Sequence, residues 1–408
     1  MLKILLKNSA VMGILTLAAG GFHYLFHILC IKRLAVGDLA LLNVDLSWFN
    51  LSLSLGFLIQ YYMNLNTPTV KRLRQLYFAT IGITLLSATA FAYFWIAQPD
   101  DFIRPMLAVS LITALFFHCW AGFFQSEKKF FLFGMINLLL GASKFSMAFF
   151  MESRELLALT VLFSTVAANS IAVIYLTVKR DYLHPEIKKT DEEARAVNIK
   201  KELSLSFVSG LAFMLLPNFD ILNLRYLVGL APAGLYSQIQ IFTKVLFFAP
   251  VILLQVTLPY YTRIYRGEAS HNDRRALRKF EFLGFAGTYS AALVFALIGP
   301  IGLKIGFGIT RFGFKEIALA CIAIAPFYGL MSAIQVFASA KELKKCALTA
   351  ASVLISPIGL VLVGVQSFEG YITYAAIVHS LIGIGAVIAT ERFMSKNSDE
   401  LNAHTALA

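Results

Sequence analysis

Long apolar runs, repeated along the whole chain, limit its fold more than any other feature. Twelve stretches, at about 9–31, 39–63, 76–97, 105–124, 131–151, 156–177, 205–227, 233–258, 281–303, 317–338, 346–366 and 370–390, are 20 to 26 residues long. About 20 apolar residues wound as a helix cross a hydrocarbon core about 30 Å thick. The chain is 58% hydrophobic and only 14% charged, whereas soluble domains carry roughly 25% charged residues. A soluble fold and a disordered chain are both excluded. The period-2 alternation of a lipid-facing barrel strand is absent, and a helix satisfies its own backbone in lipid. The expected fold is an all-α membrane protein with 12 transmembrane helices. The basic Met1–Ala10 leads into a run that continues to Ile31 with no small-residue cleavage site; it is read as a first span and not as a cleaved signal.

The net charge of +12 invites a nucleic-acid reading, but its distribution fits topology better. With the N-terminus inside, 25 of the 35 Lys and Arg fall on inner segments and 8 on outer ends and loops. That bias is the positive-inside signal. Both termini are expected to be cytoplasmic in a bacterial inner membrane, with membrane lipids as neighbours and no nucleic-acid partner. The cysteines Cys30, Cys119, Cys321 and Cys346 are far apart, without a Cys-x-x-Cys pair or a His cluster. Neither a disulfide framework nor a zinc site is implied, and no cofactor or metal is expected.

The polar stretch 179–204 separates two six-helix halves. The expected division is 1–178 and 205–392, with 179–204 as a cytoplasmic linker and 393–408 as a cytoplasmic tail. An internal repeat supports it: His27–Leu34 aligns with Asp220–Leu227, and Ala40-Leu41-Leu42 then falls opposite Gly234-Leu235-Tyr236. Parallel repeats of this kind are one transporter plan. Pro217, Pro250, Pro326 and Pro357 lie within spans of the second half, which is therefore predicted to hold most of the bent helices.

Polar residues inside spans are costly and tend to face a bundle interior or a wet cavity. Span 5 carries Asn137, Gly141 and Lys144 at helical spacing, and span 8 carries Ser237, Gln240 and Lys244, with Gln255 further along. Lys144 and Lys244 are the Lys and Arg residues deep within spans. They are read either as cavity cations that hold an anionic substrate group or as snorkelling or carboxylate-paired lysines. Span 7 holds Asn218, Asp220, Asn223 and Arg225 after Pro217. Asp220 either exchanges a coupling ion or pairs with Lys244 or Arg225, and pairing is the favoured reading. His23 and His27 are four apart on span 1, and span 2 holds Asn43, Asp45, Ser47, Asn50, Ser52 and Ser54. His27 and Asp45 complete the set of coupling-ion candidates. The basic cluster Arg274, Arg275, Arg278 and Lys279 reads as a lipid-headgroup or docking patch. P-loop, Gly-x-Ser-x-Gly and His-Glu-x-x-His motifs are missing, and no outer loop is long enough to house catalysis; the chain is not read as an enzyme.

The stretch Pro217–Tyr261 carries Asn218-x-Asp220, a short turn, Gly234-x-Tyr236 and Pro259. It resembles helices 7 and 8 of the Wzx-like polysaccharide flippases of the multidrug/oligosaccharidyl-lipid/polysaccharide (MOP) exporter superfamily. In spans 1–2, Ala40 stands where that family commonly has Gly. The resemblance implies two six-helix bundles around a central cavity, the MATE-like fold. It also implies a substrate, an isoprenoid-diphosphate-linked oligosaccharide moved from the cytoplasmic to the periplasmic leaflet, and polysaccharide polymerase or assembly proteins as partners. Lys144 and Lys244 fit the family's cationic cavity by location. Asn137, Gln240, Asn218, Asn223 and Arg225 are the further substrate-binding candidates. An anion leaving a negative interior gains about 2.3 kcal/mol per charge per 100 mV, so coupling is needed mainly for the return step. The rivals are an ion-coupled multidrug antiporter of the same superfamily and a non-transporting scaffold for polysaccharide assembly. Span 1 lacks the acidic residue such antiporters commonly use.

Overall fold

A computed structural model describes residues 2–65, 70–97, 102–127, 129–179, 199–265 and 271–406. Outside the described residues lie most of the predicted linker, Lys128, Pro68, Pro99 and Pro185. The same holds for the side chains of Pro250, Gln255, Pro259, Arg274, Arg275, Arg278 and Lys279.

The described residues are helical, with no strand among them. They divide into two compact units, Met1–Gly210 and Leu211–Ala408. In the first unit the spans are α1 (Leu2–Arg33), α2 and α3 (Val36–Ser52, Ser54–Leu65), α4 (Val70–Ala97), α5 (Ile103–Ser126), α6 (Phe130–Ala148) and α7 (Arg154–Val178). Helix α8 (Ile199–Leu215) crosses the division between the units. In the second unit, α9 (Phe219–Asn223) continues span 7. It is followed by α10 (Leu230–Tyr265), α11 (His271–Phe307), α12 and α13 (Phe314–Ile324, Phe327–Ser339), α14 and α15 (Leu343–Ala351, Ile355–Val363) and α16 (Phe368–Ala406). The twelve apolar runs thus fall on twelve helical segments. Among the described residues, ten of these are long and apolar enough, by length and composition, to cross a membrane; α1 and α10 carry the other two runs.

Packing inside the first unit depends on close helix approach. Helices α1 and α6 pack along their length, and a Cβ on Gly141 would meet the carbonyl oxygen of Ala19 at 2.8 Å. Only glycine permits that approach without a shift. Around this seam Phe26, Leu42, Phe102, Met106 and Leu159 form one core. Trp120, Phe124, Ala168 and Ala172 form a second. Trp120 Nε1 donates to Thr80 Oγ1 at 3.0 Å, so the buried indole nitrogen is not left bare. The outward surface is apolar too: Leu85, Leu86 and Ile96 in the first unit and Ile305, Leu362 and Leu381 in the second are all more than 60% exposed. Exposed apolar surface on that scale suits acyl chains and not water.

The prolines explain some helix breaks and not others. Span 7 passes through a 3-10 turn at Leu216–Asn218, directly at Pro217. Pro326 separates α12 from α13, and a 3-10 turn at Ser352–Leu354 precedes Pro357. Helix α10, however, runs on through Pro250, and α11 runs through Pro300. The first unit also has a break the sequence does not announce, at Leu53 between α2 and α3. There the Leu53 N–H is shared between the Phe49 and Asn50 carbonyls, each at 3.1 Å, and Ser52 Oγ bonds back to the Trp48 carbonyl at 3.0 Å. Back-bonding serines bend helices by drawing a carbonyl out of line.

Candidate functional site

Among the described residues, each unit holds a charged side chain within its spans whose surroundings are specific. In the first unit it is Lys144 on α6. The Gly141 contact brings α6 against α1, and Lys144 is one turn further on. Its Nζ lies 4.1 Å from the centroid of the Phe26 ring. Among the described residues no carboxylate is within ion-pair distance of it. Phe22 and Phe145 pack at 5.8 Å on the same seam. At the end of the seam the Arg33 guanidinium donates to the carbonyls of Ala148, Met151 and, at 3.1 Å, Phe149. These are carbonyls at and just beyond the end of α6, where a helix exposes acceptors and partial negative charge.

In the second unit the charge is Asp220, which is 1% exposed. It sits on the five-residue α9, between the 3-10 turn at Pro217 and a π-helical segment, Leu224–Val228, that closes at Gly229 with φ 140°. A positive φ of that size favours glycine. Tyr236 on α10 donates its hydroxyl to Asp220 Oδ2 at 2.8 Å. Tyr371 on α16 donates to Oδ1 at 2.6 Å. His379, further along the same helix, has Nδ1 4.0 Å from Oδ1. That nitrogen also lies 2.9 Å from the Ala323 carbonyl, and Nε2 lies 2.9 Å from Ser356 Oγ. The expected pairing of Asp220 with Lys244 or Arg225 is therefore corrected: phenols and an imidazole meet its oxygens.

The other predicted residues divide by environment. Asn137 and Asn218 turn their amides back to their own helices, onto the Phe133 carbonyl at 3.0 Å and the Met214 carbonyl at 2.8 Å. Asn223 and Gln240 are buried, and their side-chain nitrogens have no hydrogen-bond partner among the described residues. Lys244 on α10, Arg225 in the π-helical segment, and His23, His27 and Asp45 in the first unit are half-buried. Among the described residues no group of three or more His, Cys, Asp or Glu side chains could hold a metal ion. Sequence reasoning quoted Tyr236 only as part of a motif and passed over Tyr371, His379 and Ser356. It also passed over His118, which meets Gln60 Oε1 at 2.8 Å within the first unit.

No family model matches the chain, and no curated protein matches it. Solved structures do. An inward-facing multidrug resistance MATE family transporter of the MOP superfamily aligns with a TM-score of 0.66 at 13% identity, over 93% of this chain and 95% of that one. The fold is the MATE fold. A MATE structure in a bent conformation aligns at 0.61 and 12% identity over 97% and 96% of the two chains. A point mutant of a Vibrio cholerae MATE transporter, VcmN, aligns at 0.55 and 13% identity over 97% and 93%. With its apolar helices and this fold, the chain is a multi-pass membrane protein.

Proposed function

We propose that this protein is an alternating-access transporter that flips an isoprenoid-diphosphate-linked oligosaccharide across the bacterial inner membrane, from the cytoplasmic to the periplasmic leaflet. The observation that carries the reading is Lys144: an ammonium among apolar helices, resting on an aromatic face, with no carboxylate partner among the described residues. Lys144 is half-buried: drawing an ammonium even partly out of water costs free energy, and a cation–π contact returns about 0.5–2 kcal/mol of it. The deficit is made good when an anion arrives. Diphosphate and acidic sugars bring that charge, whereas a cationic drug adds to the repulsion.

Four further points support the reading. The helix 7–8 block from Asn218 to Pro259 resembles the Wzx-like flippases. The second in-span lysine, Lys244, lies on α10 within that block. The MATE fold is a transporter fold shared across the superfamily that includes them. The inner-segment excess of Lys and Arg favours cytoplasmic termini. The multidrug antiporter remains the second reading, favoured by a structural neighbour that is a multidrug resistance transporter.

A deletion strain separates the two. The flippase reading expects loss of surface polysaccharide, restored by the wild-type gene but not by Lys244→Ala expressed at equal level, with drug tolerance unchanged. Altered drug tolerance with normal polysaccharide would overturn it in favour of the second reading.

A further inference from the structure

The two cations on the α1–α6 seam form one electrostatic arrangement. Phe26, Cys30 and Arg33 stand at i, i+4 and i+7 on α1 and so share a face. Helix α6 lies against it: Lys144 Nζ rests over the Phe26 ring, and the Arg33 guanidinium donates to the carbonyls of Ala148, Phe149 and Met151. Lys144 is four residues before Ala148, about 6 Å along the helix axis. The cation–π contact therefore lies about one turn below the C-terminus of a helix.

A bare helix C-terminus is a poor place for an anion. Its free carbonyls carry about half a negative charge, and they are acceptors for any lysine near the end. Arg33 changes both conditions. It fills carbonyls at and just past the end of α6, and among the described residues no carboxylate pairs with it. One full positive charge then faces about half a negative one, so the field reaching the turn below is positive. Lys144 keeps away from that end. Side chains on a helix lean toward its N-terminus, and the ammonium sits at Phe26. Phe26 is seven residues before Arg33, about 10 Å along α1. Arg33 and Lys144 are both half-buried, where charges are screened less than on an open surface.

We propose that Arg33 is a positioning residue for an anion site at Lys144, and that the site takes the phosphate head of a lipid. The apolar stretch of α6 ends at Ala148, so Lys144 lies about one turn inside its edge. That is the depth of a lipid head drawn slightly into the membrane. Arg33 does not touch the ligand, because its donors are spent on carbonyls. It acts by reversing the field of the helix end and by holding α6 to α1, so that the ammonium stays on Phe26. An isoprenoid diphosphate and an anionic phospholipid both carry such a head. The choice of the diphosphate rests on the flippase reading, whereas the anion site does not.

The test uses the purified full-length protein in neutral detergent. Binding of farnesyl diphosphate and of phosphatidylglycerol is measured beside the melting temperature. Wild type binds farnesyl diphosphate, and Lys144→Met abolishes the binding. Arg33→Gln keeps an amide donor at the carbonyls but loses the charge, and it weakens binding about tenfold. Arg33→Lys keeps the charge but loses the planar fork, and it weakens binding less than about threefold. Both variants melt below wild type, so affinity follows charge and not stability. Equal weakening in the two, weakening in step with melting temperature, or wild-type affinity in Arg33→Gln overturns the proposal.

If the Arg33 variants do not fold, Phe150→Glu places a countercharge beside an intact guanidinium. Phe150 is 73% exposed and stands between Phe149 and Met151. Phe150→Glu weakens binding several-fold relative to Phe150→Gln, and equal affinities overturn the proposal. If phosphatidylglycerol binds with the full Arg33 dependence and farnesyl diphosphate does not bind, the anion site stands and the flippase reading fails. If neither lipid binds wild type, the site is overturned, and transport of the diphosphate lipid in liposomes judges the flippase reading by itself.

Discussion

The two units share a helical plan and differ in how each keeps a charge in the membrane. In the first, a cation on a continuous helix rests on one aromatic ring and has no carboxylate partner among the described residues. In the second, an anion on a broken helix is fully engaged by two phenols, with an imidazole at 4.0 Å. In the aligned repeat, His27 of the first unit falls opposite Asp220 of the second, and Cys30 falls opposite Asn223. Corresponding positions have therefore been given different chemistry. A charge without an opposite partner is open to a ligand, whereas one whose acceptors are filled is held in place. On the proposed reading, the first unit's cation is the charge placed to meet an anionic substrate group.

Substitutions at four positions break or sharpen that contrast, from the largest expected effect to the smallest. Asp220→Ala leaves two buried phenol hydroxyls without their acceptor and lowers stability by about 3 kcal/mol, because bonds to a charged group contribute roughly 1.5–3 kcal/mol each. Denaturant or thermal unfolding in detergent reads this directly, and an unchanged transition shows the cluster to be slack. Arg33→Ala removes the donor from the end of α6 and costs about 2 kcal/mol; Arg33→Lys recovers only part, since one ammonium cannot reach three carbonyls as a planar guanidinium does. Tyr371→Phe removes one bond to Asp220 and costs about 1.5 kcal/mol. Lys144→Met conserves the aliphatic stem over Phe26 and removes a charge whose desolvation the ring offsets only in part, so stability is unchanged or raised by less than about 1 kcal/mol. If Lys144→Met instead proves as damaging to stability as Asp220→Ala, the ammonium is structural and the contrast between the units fails.

The sequence carries the spans well, because each is a local property of about twenty consecutive residues. It carries the break at Pro217 for the same reason, since the missing N–H belongs to that residue. The break at Leu53 is not legible: it arises from a shared backbone donor and the Ser52 back-bond, and serine is frequent in spans that stay straight. Asp220 stands out as an acid in an apolar run. Its partners do not, because Tyr371 is 151 positions away and looks like any interfacial aromatic. His379, in the twelfth span, belongs to no motif, and the pairing expected from nearby Arg225 and Lys244 is the error that short-range reasoning produces. A search for every ionisable or phenolic side chain in the spans, regardless of spacing, contains the whole cluster without saying which of its members meet.

The central claim, that an uncompensated cation in the first unit receives an anionic lipid-linked substrate, is tested most directly by reconstitution. Purified wild type and Lys144→Met are placed in liposomes, and transbilayer movement of a fluorescent isoprenoid-diphosphate oligosaccharide is measured beside that of a cationic dye. The account predicts movement of the diphosphate lipid by wild type, loss of at least about tenfold in Lys144→Met at an equal folded fraction, and no transport of the dye. Equal rates for the two proteins, or transport of the dye in place of the lipid, would contradict it.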